Sequence, residues 1–245
     1  KRVVDRYDLR WTDNTDAEIE MKMIRRGGFE GQVLPHYLKL RQLIWPHRLT
    51  SSWTKLIYRE ILTNQMTILM GCASSWKTST ASEYLLLDYW CFPENTAVLV
   101  STTTKEKLED AIFGEIKMLY IAARKLHPYL AGNMIDYKQA ILTDNVEEVE
   151  ARDFRKGIKG KACYVGQNYV GLGAYAGIKQ ERVRFMGDEL QFMPATFLDC
   201  LPNMFSNPDV KVIGSGNPNH DPDSQLAMAA EPLDGWAAVE DLEVT

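Results

Sequence analysis

Apolar positions recur at helical spacing early in the chain and gather into short uninterrupted runs later, and this change of period divides the sequence. Thr15-Asp16-Ala17-Glu18 is a capping-box pattern ahead of Ile19, Met21 and Met23, and Gly27-Gly28 predicts the end of that first helix. A second helix is predicted over 37–45, stopped by Pro46. A third, over 51–64, carries Trp53, Leu56, Ile57 and Ile61 at mostly helical spacing. Residues 1–64 therefore read as a helical segment packed on a core formed by residues 65–245.

From Met66 the pattern shifts. Thr67-Ile68-Leu69-Met70 predicts a strand, 71–76 a loop and 77–91 a helix closed before Pro93. A second strand over 96–100 leads through Ser101-Thr102-Thr103 into a long helix with Leu108, Ile112, Ile116, Leu119 and Ala123 on one face, ended by His127-Pro128. Between 132 and 181 the signal weakens: strands are expected within 134–142 and 161–165, then a glycine-rich stretch over 166–177. Two further strand-like runs, 183–186 and 210–213, each pass into Gly and polar residues. This alternation predicts an α/β fold with a doubly wound, mostly parallel sheet flanked by helices, its ligands at the carboxyl ends of the strands.

The candidate chemistry falls at three such strand ends. Gly71-Cys72-Ala73-Ser74-Ser75-Trp76-Lys77-Thr78 fits GxxxxGK[ST] except that Trp76 stands where the second Gly belongs. A loop of small residues between strand and helix turns backbone N–H groups toward a phosphate, and the helix amino terminus adds its dipole. Lys77 is then the group that reaches the β and γ phosphates, Thr78 a Mg²⁺ ligand, and Ser79 the next residue of the cradle. Trp76 requires either a conventional backbone or a ring that points away from the nucleotide. Asp188-Glu189, after a half-apolar strand, divides naturally: Asp188 for the cation, Glu189 to orient and deprotonate a water. Ser215 and Asn217, after the last strand, carry hydrogen-bonding groups suited to sensing a phosphate or its departure. Taken singly, each has an ordinary alternative: a strand-turn-helix with a surface Lys, a solvated Asp-Glu loop, a Gly-Asn-Pro turn.

Composition narrows the picture. With 245 residues and 45% hydrophobic content the chain suits one α/β domain with small additions. A net charge of -5 excludes the overall basic footprint of a protein that coats nucleic acid, so any polyanion contact is local. Cys72, Cys91, Cys163 and Cys200 form no CxxC pair, and His36, His47, His127 and His220 have no metal-ligand spacing, so neither zinc nor a disulfide framework is indicated. No run approaches the ~18 apolar residues of a membrane span. The start without Met and the end at Asp241-Leu242-Glu243-Val244-Thr245 read as a piece of a longer protein.

Taken in order, the loop at 71–78, the acidic pair and Ser215-Gly216-Asn217-Pro218 resemble the Walker A, Walker B with catalytic Glu, and coupling motifs of the ATPase domain of tailed-phage terminase large subunits. The resemblance spans residues 50–240 and implies an ATP- and Mg²⁺-dependent motor that drives double-stranded DNA into a procapsid. It also implies a strand inserted between the two Walker strands, a homo-oligomeric ring, portal protein and small terminase subunit as partners, and the host cytoplasm as its place of work. No acidic cluster of a nuclease follows residue 219, which implies the motor half alone.

The stretch before Asp188, Gly173 to Lys179, lacks the Arg that some terminases use as a finger, leaving Lys179, Arg182 and Arg155 as substitutes. Similar motors hold adenine by an aromatic or amide upstream of the loop, here Trp53, Tyr58 or Gln65, although core packing suits Trp53 and Tyr58 better. Lys105, Lys107, Lys117, Arg124 and Lys125 read as a solvated face, and Arg155, Lys156, Lys159 and Lys161, spaced by Gly157 and Gly160, as the better DNA loop. Two rivals stay open: another P-loop motor such as a two-domain helicase, and a nucleotide-binding assembly module that no longer hydrolyses ATP.

Overall fold

The structure, a computed structural model, describes residues 15–28, 31–143, 156–163, 178–194, 196–218, 221 and 223–231. Three helices precede the sheet. α1 (Thr15–Arg25) stops where Gly27 and Gly28 take φ of +79° and +73°, and the Gly28 N–H donates back to the Met23 carbonyl at 2.8 Å. α2 (Leu34–Ile44) starts three residues before the predicted position because Pro35 fits a first helical turn. α3 (Ser52–Thr63) is capped by Ser51, whose Oγ accepts from the Thr54 N–H at 3.1 Å.

The core is one seven-stranded sheet in the order β1-β7-β6-β2-β5-β4-β3. β1 (Met66–Met70), β2 (Thr96–Thr102), β5 (Gly157–Ala162), β6 (Arg182–Gly187) and β7 (Asp209–Gly216) run parallel. β3 (Asn133–Ile135) and β4 (Ala140–Leu142) form an antiparallel hairpin on the β5 edge. α4 (Lys77–Cys91) joins β1 to β2. After β2 come a helical turn (Lys105–Lys107), a π-helical stretch (Leu108–Ile112) and α5 (Phe113–Leu126). α6 (Gln225–Ala230) follows β7. β7 lies between β1 and β6, the inserted strand that the resemblance implied.

Strand alternation assigns each sheet face its own core. Val98, Val100, Met186 and Ile213 pack under α4, α5 and the leading helices with Tyr58, Tyr84 and Trp90. Leu99, Val183, Phe185 and Val212 pack on the other face with Leu190, Met204 and Leu226. Among the described residues no helix is long and apolar enough to cross a membrane.

The region between α5 and β6 departs most from expectation. The strand expected at 161–165 begins at Gly157, inside the sheet, so the run taken for a DNA loop is a strand that carries Lys159 and Lys161. Its glycines serve packing: Gly157 has φ +114° and a Cβ there would meet the Ile141 carbonyl oxygen at 2.2 Å, while one on Gly160 would meet Leu108 Cδ2 at 3.0 Å. Lys156 pairs with Glu94. Arg155 and the whole glycine-rich stretch, 166–177, lie outside the described residues.

Candidate active site

The three strand ends meet at one edge of the sheet. Met70, the last residue of β1, pairs with Gly216, and the Gly71 N–H donates to the Gly216 carbonyl at 3.3 Å. The loop of residues 71–76 then turns into α4 through two left-handed residues, Ser74 (φ +61°) and Trp76 (φ +63°). Left-handed residues in such a loop face successive N–H groups inward, the geometry of an anion nest. Trp76 therefore takes the left-handed backbone of the glycine it replaces, not a conventional one. Its ring points outward, 67% exposed, with the Arg48 guanidinium 5.6 Å from the ring centroid.

Lys77 is buried and its Nζ donates to the Gly71 and Cys72 carbonyls, both at 2.7 Å, to Ser75 Oγ at 3.0 Å and to Asn217 Oδ1 at 3.3 Å. The ammonium thus sits in the loop's own curve and touches the third strand end. The Thr78 hydroxyl lies 3.2 and 3.3 Å from the two carboxylate oxygens of Asp188. Ser79 lines the cleft but bonds Glu115 and receives Arg48 Nη2.

Asp188 leaves β6 with its N–H on the Ser101 carbonyl at 2.8 Å, and it is 5% exposed. Ser215, fully buried on β7, donates its hydroxyl to Asp188 Oδ1. Ser215 therefore orients the carboxylate, which leaves Asn217 as the one of the pair lining the cleft. Glu189 is left-handed at φ +57°, a costly backbone for a residue with a Cβ. Its carboxylate accepts from Gln191 Nε2. The cleft so formed, about 520 Å³, is lined by 73–79, Asp110, Ala111, Glu115, Asp188, Glu189, Gly216 and Asn217. An inward-facing loop with a buried ammonium, beside a hydroxyl and carboxylate 3.2 Å apart, fits a polyphosphate and its divalent cation.

Other candidates stand elsewhere. Tyr58 is buried between Tyr37 and Tyr84, and Trp53 lines a groove with β1 residues. Gln65 precedes β1 at the opposite end of the sheet, its carbonyl bound to the Val212 N–H at 2.8 Å. None of the three lines the cleft. Arg182, at the start of β6 and so at the other end of the strands from the cleft, is held by Asp88 at 2.8 Å and Asp209 at 2.6 Å. Lys105 pairs with Glu109 and Lys117 with Asp136, as a solvated face does. The sequence reading missed Arg48, Glu115 and Gln191, which reach the site through folding and carry no local motif.

Charge is concentrated at the far end of α4 as well. Asp88 is fully buried between Arg184 Nε at 2.8 Å, Arg182 Nη2 at 2.8 Å and the Tyr37 hydroxyl at 2.6 Å. Burial opposes its ionisation, yet the two guanidiniums and the hydroxyl hold its carboxyl below the ordinary carboxylate range.

The sheet order, the loop at 71–76 and the acidic strand end together define a P-loop ATPase fold of the RecA-like kind. No family model and no curated protein sequence matches the chain. Solved structures do. The ATPase domain of the Thermus phage P74-26 large terminase superposes with a TM-score of 0.52 at 13% identity, covering 74% of this chain and 69% of that one. The large terminase of bacteriophage HK97 gives 0.54 at 11% over 74% and 36% of the two chains. A large terminase from a thermophilic bacteriophage gives 0.52 at 15% over 74% and 42%. This chain therefore has the fold of a phage large-terminase ATPase domain, and it spans under half the length of the latter two proteins.

Proposed function

We propose that this chain is the motor domain of a viral large terminase: a Mg²⁺-dependent ATPase that moves double-stranded DNA into a procapsid. The observation that carries the reading is the contact of Thr78 with Asp188, 110 residues away, beside a lysine that joins the loop to Asn217. The N–H groups of 73–77 hold the phosphates, and Lys77, on its flexible stem, turns from the loop carbonyls to the β and γ oxygens. Thr78 and Asp188 hold Mg²⁺, which supplies neutralisation of charge on the phosphoryl oxygens when bound. Glu189 orients the water and takes its proton, and Asn217, bonded to Lys77, registers the state of the phosphate end. DNA, the portal protein, the small terminase subunit, a homo-oligomeric working ring and the host cytoplasm belong to this reading by likeness to the terminases.

The test is Glu189→Gln, assayed for steady-state phosphate release with and without double-stranded DNA and for binding of a fluorescent ATP analogue. The expected result is retained binding with turnover abolished and, in the unaltered chain, release that DNA stimulates. Unchanged turnover in the variant removes the base assignment; binding without any turnover in the unaltered chain favours the assembly module.

A further inference from the structure

Gln191 lies two residues past Glu189 in the 3-10 turn Leu190–Phe192 and is 8% exposed. Both ends of its amide are engaged. Nε2 donates to Glu189 Oε2, and Oε1 accepts the Asn217 N–H at 3.2 Å. Asn217 Oδ1 accepts from Lys77 Nζ at 3.3 Å, so an unbroken hydrogen-bonded path runs from the loop lysine to Glu189. Gly216 makes the room: a Cβ there would stand 2.3 Å from Gln191 Oε1 and 2.9 Å from Leu226 Cδ2.

We propose that Gln191 is a positioning residue that aims the Glu189 carboxylate according to where Asn217 sits, joining the base to the end of β7. The proposal rests on the reading of Glu189 as base. A general base acts only within a hydrogen bond of its water, and a displacement of ~1 Å can cost ~10²-fold in rate. Glu189 needs such support, because a half-buried carboxylate at the end of a flexible side chain has several rotamers of similar energy. An amide that holds one carboxylate oxygen selects among them, and the same amide moves with the Asn217 backbone. Lys77 or Asn217 shifting with the phosphate thus changes the aim of Glu189 without either touching it.

Three variants test the link. Gln191→Met keeps the length and removes both bonds; Gln191→Glu keeps the acceptor for the Asn217 N–H and loses the donor to Glu189; Gly216→Ala drives the amide away from the other side. Each is expected to lower kcat for ATP by roughly ten- to a hundredfold while KM and the Kd of a non-hydrolysable analogue stay within about twofold. The double variant Gln191→Met/Gly216→Ala should be no slower than its slower parent, because both break one bridge. Wild-type kcat in Gln191→Met, a loss expressed as raised KM, or losses that multiply in the double variant each overturn the proposal. Glu189→Gln run in parallel separates the failures: if it is inactive while Gln191→Met is unimpaired, only the link falls, and if it turns over normally the base reading falls and the link with it.

Discussion

The Thr78 hydroxyl and the Asp188 carboxylate meet across 110 residues with separations of 3.2 and 3.3 Å, which fixes the start of α4 against the end of β6. A cation held there links the two segments, and Ser215 already orients the shared carboxylate. Asp188→Asn, which keeps the shape and removes the charge, should abolish the Mg²⁺ dependence of nucleotide binding. Titration of an ATP analogue with Mg²⁺ and with EDTA reads this directly, and a variant whose affinity still rises with Mg²⁺ places the cation elsewhere.

Lys77→Ala removes the four contacts by which the ammonium holds the loop and Asn217. One charge-assisted bond from the ammonium to the phosphates, worth ~1.5–3 kcal/mol, makes a loss of roughly ten- to a hundredfold in analogue affinity the expected result. Thermal unfolding should show the fold intact, since the loop residues 72–74 are exposed.

Trp76 occupies a left-handed backbone with its ring in solvent, so its two features separate by substitution. Trp76→Ala and Trp76→Gly both lose the Arg48 contact, but only Gly relieves the backbone. Trp76→Gly should be the more stable of the two by about 1 kcal/mol, with analogue binding at least as tight. Urea unfolding of the pair measures the difference, and equal stability would argue that the loop relaxes around Ala.

Asp88 and Arg184 form a buried pair, 0% and 1% exposed at the side chain. The Asp88 carboxyl is held below its ordinary range, so its contribution is complete above that range and is lost as pH falls through the lowered value. Stability in urea should be level near neutrality and drop in acid. Asp88→Asn leaves Arg184 without its main partner and should cost about 3–5 kcal/mol at neutral pH, with a shallower loss on acidification.

The strand, loop and helix over 66–91 were legible because the period changes at Met66 and the small residues of 71–75 can serve only a tight loop. The acidic strand end was legible through Val183 and Phe185, whose alternation marks the face opposite Met186. β5 was not: Gly157, Lys159, Gly160 and Lys161 interrupt any apolar run, and what makes the segment a strand is the ladder offered by β2 and β4. Gln191 carried no signal, since its role depends on a glycine 25 residues later that leaves space for an amide. The helical spacing of Trp53 and Tyr58 favoured core packing for both; Tyr58 is buried as that spacing suggested, while Trp53 is 38% exposed beside a groove.

The π-helical stretch Leu108–Ile112 widens one turn ahead of α5 and brings Asp110 and Ala111 to the wall of the cleft while Leu108 and Ile112 remain buried. Removing a single residue from it would rotate everything upstream by about 100° about the axis relative to Phe113 and beyond. Segment length, more than side-chain identity, thus sets which groups border the cleft, and an insertion or deletion here would remake that wall as a whole.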